Sequence, residues 1–367
     1  MIKPNWENSI LNVSATLSEF LGNKNDIPKI FLLQKKLKKD YKNVVFICMD
    51  GFGIYSIKQN LDRNSFLRKN IKKTITSVFP ATTTNATTTL YTAKYPMEHG
   101  MFGWSLYIEE LDRNVDVYIG RDSNTGEKID TKVIDKKFDF NYYFDKSNSD
   151  YNVNAVMPFY VKHTENNYPY EKKEEMFNLL NEICGKSSKQ FVYVYAGNPD
   201  GEPDHTEHIY GVNSNETKEI IEYYNEAFEK FANSHKDTLI IITSDHGHLD
   251  IKDYIELYKD KELNACLEKP AYLEARAVAF KIKTNMEDKF KQEIKKYKEL
   301  KLFKVDDLIK KNYFGPKTEQ AKILGDYIAI VKNNHTQVLI NELMPRFKGH
   351  HTALTKREMI LPLIILN

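Results

Sequence analysis

Six threonines crowd the twelve residues Phe79-Pro80-Ala81-Thr82-Thr83-Thr84-Asn85-Ala86-Thr87-Thr88-Thr89-Leu90. The stretch follows a β-like run at 74–78. It leads into residues 90–95, which read as a helix that stops before Pro96. A strand, a tight turn and a helix N-terminus gather hydroxyls and backbone N–H groups about one point. That arrangement suits an oxyanion such as phosphate. A hydroxyl there can attack phosphorus once its pKa is lowered, and metal coordination is one way to lower it. On its own the stretch reads more simply as a Thr-rich cap on a buried helix. Donors elsewhere in the chain change that reading.

Five places offer metal ligands: Asp50; Thr83; Asp204 with His208; Asp245 with His246; and His351. Carboxylate oxygen and imidazole nitrogen suit Zn²⁺, and sites that keep an open position are catalytic. Two such ions about 4 Å apart can clamp the attacking and leaving oxygens of an in-line phosphoryl transfer. The pieces differ in specificity. Asp50-Gly51 after an apolar run is a common turn. Asp204 and His208 are one helical turn apart and share a face. Ser244-Asp245-His246-Gly247 is the sharpest signal, because a charged pair ending a buried strand needs a reason to be there. Singly, each has a structural explanation: an N-cap for Asp204, a satisfied core histidine for His246 or His351, a solvated turn for Asp50. Their joint occurrence in one chain is what points to a metal site.

Each donor must be positioned by an element. Residues 44–49 form a continuous apolar run stopped by Asp50-Gly51, as expected of a strand buried on both faces of a parallel sheet. The pattern returns at 191–195, which runs into Gly197–Asp204, and at 239–244, which runs into Asp245-His246. Residues 217–232 between them read as an amphipathic helix, so the crossover is parallel. Helices are also expected at 9–21 and 30–39, and a last strand at 359–366. Ligands of such sheets bind beyond the carboxyl ends of the strands. The expected fold is therefore α/β, one domain over 1–367, with a mostly parallel central sheet and helices on both faces. Residues 105–162 and 257–331 break the rhythm. They are expected to be inserted α+β cap segments over the active site, with strands at 276–282 and 327–331 and a charged helix at 286–300.

Composition narrows the partners. The chain has 367 residues, enough for a sizeable core, and a net charge of +2, so no nucleic-acid polymer is expected to bind. The three cysteines, Cys48, Cys184 and Cys266, lie far apart and imply neither a disulfide framework nor a Cys-type zinc site. No apolar run has the length of a bilayer span and the N-terminus has no signal core, so a cytoplasmic location and no membrane partner are expected. Oligomeric state is not legible.

The blocks at 45–53, 79–100, 203–211 and 243–247 together resemble the alkaline phosphatase superfamily, in its nucleotide pyrophosphatase/phosphodiesterase branch. Residues 349–363 resemble the end of the domain in bacterial members of that branch. The resemblance implies two divalent ions, Zn²⁺ with Mn²⁺ as the alternative. Asp50, Thr83, Asp245 and His246 would hold one, and Asp204, His208 and His351 the other, with His351 chosen over His350. It implies that Thr83 is the nucleophile, through a covalent phosphothreonine, and that the substrate is a small phosphodiester or a nucleotide pyrophosphate. In many members an asparagine three residues after the nucleophile binds the phosphoryl oxygen. Here that position is Ala86, and Asn85 is the nearest candidate.

Trp104 and Tyr107 are candidate stacking residues for a nucleoside base or other aromatic group, although core packing is the slightly simpler account of them. His205 and His248 neighbour ligands and could support them from behind. His99 reads as structural, with a ring nitrogen bonded to backbone. Two other functions fit the same residues. One is a phosphomonoesterase or a C–P hydrolase resembling phosphonoacetate hydrolase. The other is an inactive, metal-dependent binder of phosphorylated ligands.

Overall fold

The structure, a computed structural model, describes residues 1–138, 141–147, 149–161, 166–197 and 206–366. In chain order, β1 (Asn43–Met49) and β2 (Ile71–Thr76) enter the central sheet. The next strands, β3 (Ser105–Ile108), β4 (Arg113–Asp116) and β5 (Arg121–Asp122), leave it for a second sheet. β6 (Asn152–Pro158), β7 (Asn167–Tyr170), β8 (Gln190–Ala196) and β9 (Thr238–Ser244) return to the first. Two short strands follow, β10 (Leu249–Asp250) and β11 (Asp253–Glu256). β12 (Tyr272–Leu273), β13 (Ala277–Phe280), β14 (Leu300–Lys304) and β15 (Tyr327–Val331) complete the second sheet. β16 (Thr336–Leu339) pairs with β11, β17 (Gly349–His350) pairs with β10, and β18 (Ile360–Leu366) closes the chain in the central sheet.

The central sheet has the order β2-β18-β9-β1-β8-β6-β7. β9, β1, β8, β6 and β7 are mutually parallel, and β18 runs antiparallel to both its neighbours. The reason is visible in β1. Val44, Phe46 and Cys48 enter one core, with Ile10, Val13 and Leu17 of the Ile10–Phe20 helix and Leu90 of the Thr83–Thr92 helix. Val45, Ile47 and Met49 enter another, with Leu180 of the Lys173–Gly185 helix and Ile221 and Phe228 of the Asn215–Ser234 helix. Helices therefore cover both faces, which is why the strand reads as an unbroken apolar run. Each such fully buried aliphatic side chain contributes roughly 1.5–3 kcal/mol.

The second sheet, ordered β14-β15-β13-β12-β3-β4-β5, is antiparallel throughout. Leu273 pairs with Ser105, so pieces of both expected insertions build one sheet. One range needs correction. Asn152–Pro158 is a central strand, parallel to β8, and does not belong to an insertion that reaches residue 162. Its alternate asparagines hide it in the sequence. Asn154 is buried, and its amide donates to Gln190 Oε1 (3.0 Å), so a polar residue occupies a core position there. The charged helix expected over 286–300 ends at Ile294, and Leu300–Lys304 is a strand instead. The helix after the threonines begins earlier than expected, at Thr83.

Candidate active site

Parallel register brings the first donors together. Met49 of β1 stands opposite Ser244 of β9, so Asp50 and Asp245, the next residues, leave the sheet side by side. Both are buried. Asp245 Oδ1 accepts the N–H of Gly51 (3.0 Å) and of His246 (2.8 Å), which leaves Oδ2 3.4 Å from His246 Nε2. Asp50 is held in the same way: the Tyr195 hydroxyl donates to Oδ2, and Oδ1 lies 3.5 Å from His246 Nε2. Burial, then the adjacent Asp50 charge, pushes the Tyr195 phenol well above its ordinary pKa, so it stays a donor. Ser77 Oγ anchors the Asp245 carbonyl (2.5 Å). Thr83 Oγ1 reaches His246 Nε2 at 3.1 Å. Thr83 is the first residue of its helix and Thr82 is the N-cap. First-turn N–H groups have no partner within a helix.

Local pairing assembles the second group. The antiparallel β10–β17 ladder sets Leu249 against His350, which draws His248 and His351 together, with ring centroids 4.8 Å apart. His208, on the short Thr206–Tyr210 helix, joins them. Its Nδ1 faces the Gly349 carbonyl oxygen (2.8 Å), and its Nε2 lies 3.4 Å from His248 Nε2. His351 Nδ1 faces the Ala81 carbonyl oxygen (2.9 Å), which fastens this segment to the threonine loop. The His246 and His351 rings stack at 3.6 Å and 12°, joining the two groups face to face. Burial, followed by the neighbouring imidazoles, holds His351 well below the ordinary histidine pKa. It is therefore neutral and keeps a lone pair. Gly51 is required here: its φ is +75°, and a Cβ would come within 2.5 Å of His248 Nδ1.

The ligand atoms of Asp50, Asp245 and His246 all lie within 4.8 Å of one another, and so do those of His208, His248 and His351. Two ligands on one tetrahedral zinc, each about 2.0–2.1 Å from it, stand roughly 3.3–3.4 Å apart. The donor separations of 3.1–3.5 Å around His246 Nε2 fit that spacing. The chemistry of the two sets, two buried carboxylates with an imidazole in one and three buried imidazoles in the other, fits divalent ions.

Most of the residues expected from the sequence meet here: Asp50, Thr83, His208, Asp245, His246 and His351. Asp204 and His205 lie outside the described residues. Asn85 is fully buried, and its Nδ2 donates to Pro80 O (2.9 Å), so its amide is committed to the loop. Ala86 is core. Trp104 is partly exposed (36%), its ring 6.2 Å from that of Tyr118. The Tyr118 hydroxyl lies 2.7 Å from Thr87 Oγ1 on the Thr83–Thr92 helix, so the aromatic pair stands against that helix. His99 Nδ1 accepts the Met101 N–H (3.1 Å), the structural role expected of it.

Sequence reasoning passed over several supporting residues. Glu274 is buried, and its Oε1 accepts the Trp104 N–H (2.7 Å). It also bonds the Thr82 side chain, and burial pushes its pKa up to about 7. Arg276 and Glu358 form a fully buried pair (2.8 Å). Glu358 accepts the N–H groups of Ala353 and Thr355, and Arg276 N donates to Thr352 Oγ1 (3.0 Å). The pair thus ties the segment after His351 to the second sheet. Thr352 has φ +105° and Leu273 has φ +90°, a left-handed conformation that costs a side-chain-bearing residue of order 1–3 kcal/mol. Both stand beside site-supporting residues. A Tyr in a strand or a Glu after a two-residue strand carries no motif, so no sequence signal marked these contacts.

Solved structures share the architecture. Murine ectonucleotide pyrophosphatase/phosphodiesterase 5 superposes with a TM-score of 0.64 at 16% identity, over 87% of each chain. Its inactive form, with a threonine replaced by alanine and AMP bound, gives 0.64 at 16%, over 89% of this chain and 87% of that one. Phosphonoacetate hydrolase from Sinorhizobium meliloti 1021, in complex with phosphonoformate, gives 0.63 at 14%, over 88% and 89%. At such identities the matches show the fold. No curated protein sequence is significantly similar to the chain. Among the described residues no helix is long and apolar enough to cross a membrane. The profile of type I phosphodiesterases/nucleotide pyrophosphatases matches residues 44–353, and the chain therefore belongs to that metal-dependent family of phosphoester hydrolases, within the alkaline phosphatase superfamily.

Proposed function

We propose that the protein is a two-metal hydrolase of phosphodiesters or nucleotide pyrophosphates, working through a covalent phosphothreonine at Thr83. The observation that carries this is the 3.1 Å approach of Thr83 Oγ1 to His246 Nε2, inside the Asp50–Asp245–His246 group and at a helix N-terminus. Asp50, Asp245, His246 and Thr83 would hold one ion, and His208 and His351, with Asp204, the other. Zinc best matches the donors. The ions would lower the pKa of bound hydroxyl or water and offset charge on the phosphoryl oxygens. Thr83 Oγ attacks phosphorus in line, the P–O bond to the leaving group breaks, and Thr83 carries the phosphoryl group. Water then attacks phosphorus and releases Thr83. Backbone N–H groups of the first helical turn take the phosphoryl oxygen, because the Asn85 amide is already bonded to Pro80. Trp104 and Tyr118 flank an aromatic leaving group or base.

Support also comes from the relatives. An alanine in place of one threonine accompanies the inactive, AMP-bound form of the murine enzyme. The shared fold with phosphonoacetate hydrolase keeps a C–P hydrolase as the second reading. Rates on bis-p-nitrophenyl phosphate, p-nitrophenyl phosphate and phosphonoacetate, measured side by side with metal content, separate the two. Diester turnover should dominate and should vanish in Thr83→Ala, with metal still bound. Diester turnover that survives Thr83→Ala unchanged removes Thr83 as nucleophile.

A further inference from the structure

We propose that His248 is a direct ligand of the second metal, so that this centre presents three imidazoles, from His208, His248 and His351. The inference rests on the two-metal reading and deepens it. Distance decides between two explanations of the His208–His248 contact. With Nδ1 donating to the Gly349 carbonyl, His208 offers a lone pair at Nε2. A direct bond would then need an N–H on His248 Nε2, but the two nitrogens are 3.4 Å apart, beyond the usual N–H hydrogen-bond range of about 2.7–3.2 Å. The same 3.4 Å equals the separation of roughly 3.3–3.4 Å between two nitrogens bound to one tetrahedral zinc. An N–H at that point would also block His208 from any metal.

The fold holds His248 in place for this. It is fully buried and immediately precedes the β10–β17 ladder that carries His350. The Gly51 turn lies against its Nδ1 side, where Glu207 also approaches, its Oε2 3.4 Å from the position of a Gly51 Cβ. Three nitrogen donors also discriminate between ions. They favour zinc or cobalt over manganese or magnesium, which prefer oxygen.

Cobalt titration of the full-length chain tests this, following visible absorption and metal content. The wild type should take up two Co²⁺ per chain. His248→Ala and His248→Asn should each bind the second equivalent more than about 100-fold more weakly, beyond the roughly 10–100-fold loss typical of a residue that only supports a ligand, and with an altered absorption band, because asparagine keeps polarity but supplies no imidazole. Circular dichroism checks that both fold. A measurement on the unaltered chain needs no variant. With zinc bound, ¹⁵N-histidine NMR should show four metal-bound imidazoles among the ten histidines, where a supporting role for His248 gives three. Three bound imidazoles, or variants with wild-type affinity and spectrum, overturn the assignment of His248 alone. A wild type that takes up fewer than two equivalents overturns the two-metal reading, and this inference with it.

Discussion

The two sheets are equal in size, seven strands each, yet among the described residues the candidate metal donors cluster around only one of them. The central sheet is parallel at its middle, so the carboxyl ends of β1 and β9 fall on one rim and the residues after them converge. The second sheet is antiparallel, so successive strand ends alternate between its two edges. It offers no such rim. Its contribution is to hold things still: Glu274 bonds Thr82 and Trp104, and Arg276 pins the segment that carries His351. Chemistry thus follows strand direction, and positioning follows long-range pairing.

Four changes probe this division, the largest effect first. Thr83→Ala should cut phosphoester turnover on the order of 10⁴-fold or more, as loss of a nucleophile does, while metal content stays unchanged. Asp245→Ala should lose both activity and metal, which separates the proposed ligand from the proposed nucleophile on the same rim. On the second sheet, Arg276→Met should strand the fully buried Glu358 carboxylate and cost about 3–5 kcal/mol in urea unfolding. A neutral result there would mean that the pair does not hold the His351 segment. Trp104→Ala should raise KM for an aromatic ester roughly threefold to tenfold, the scale of one aromatic contact, and leave kcat nearly as it was.

Glu274 sharpens the contrast through pH. Its pKa is raised to about 7, first by burial, so the fold favours the protonated acid. The unfolded state then releases its proton at lower pH than the folded one. The contribution of Glu274 to stability is therefore greatest at low pH, falls as pH rises from the ordinary carboxylate range towards about 7, and is level above that. Those two pKa values correspond to roughly 3 kcal/mol. Denaturation curves at about pH 5 and about pH 8 should show this decline in the wild type and lack it in Glu274→Gln.

Much of the central sheet could be read from residue type because burial on both faces leaves a plain signature, as in Val44-Val45-Phe46-Ile47-Cys48-Met49. Asn152–Pro158 escaped because Asn154 satisfies its amide through Gln190, a partner that only the fold supplies. Pairings across more than 150 positions, such as Leu273 with Ser105, leave no local period. The site divides along the same line. Asp50, Thr83, Asp245, His246 and His351 stand in short motifs whose chemistry is local. In the sequence His248 is only a neighbour of candidate ligands, because its approach to His208 depends on the β10–β17 ladder. Tyr195, Tyr118, Glu274 and Arg276 act by burial and contact at a distance, which spacing in the chain cannot report.

Anomalous diffraction from zinc-loaded crystals tests the convergence at the sheet rim most directly. Two peaks are expected, one bounded by Asp50, Asp245 and His246 beside Thr83 Oγ, the other bounded by His208 and His351. A map with no peak beside Thr83, or with zinc held elsewhere on the chain, would contradict the account.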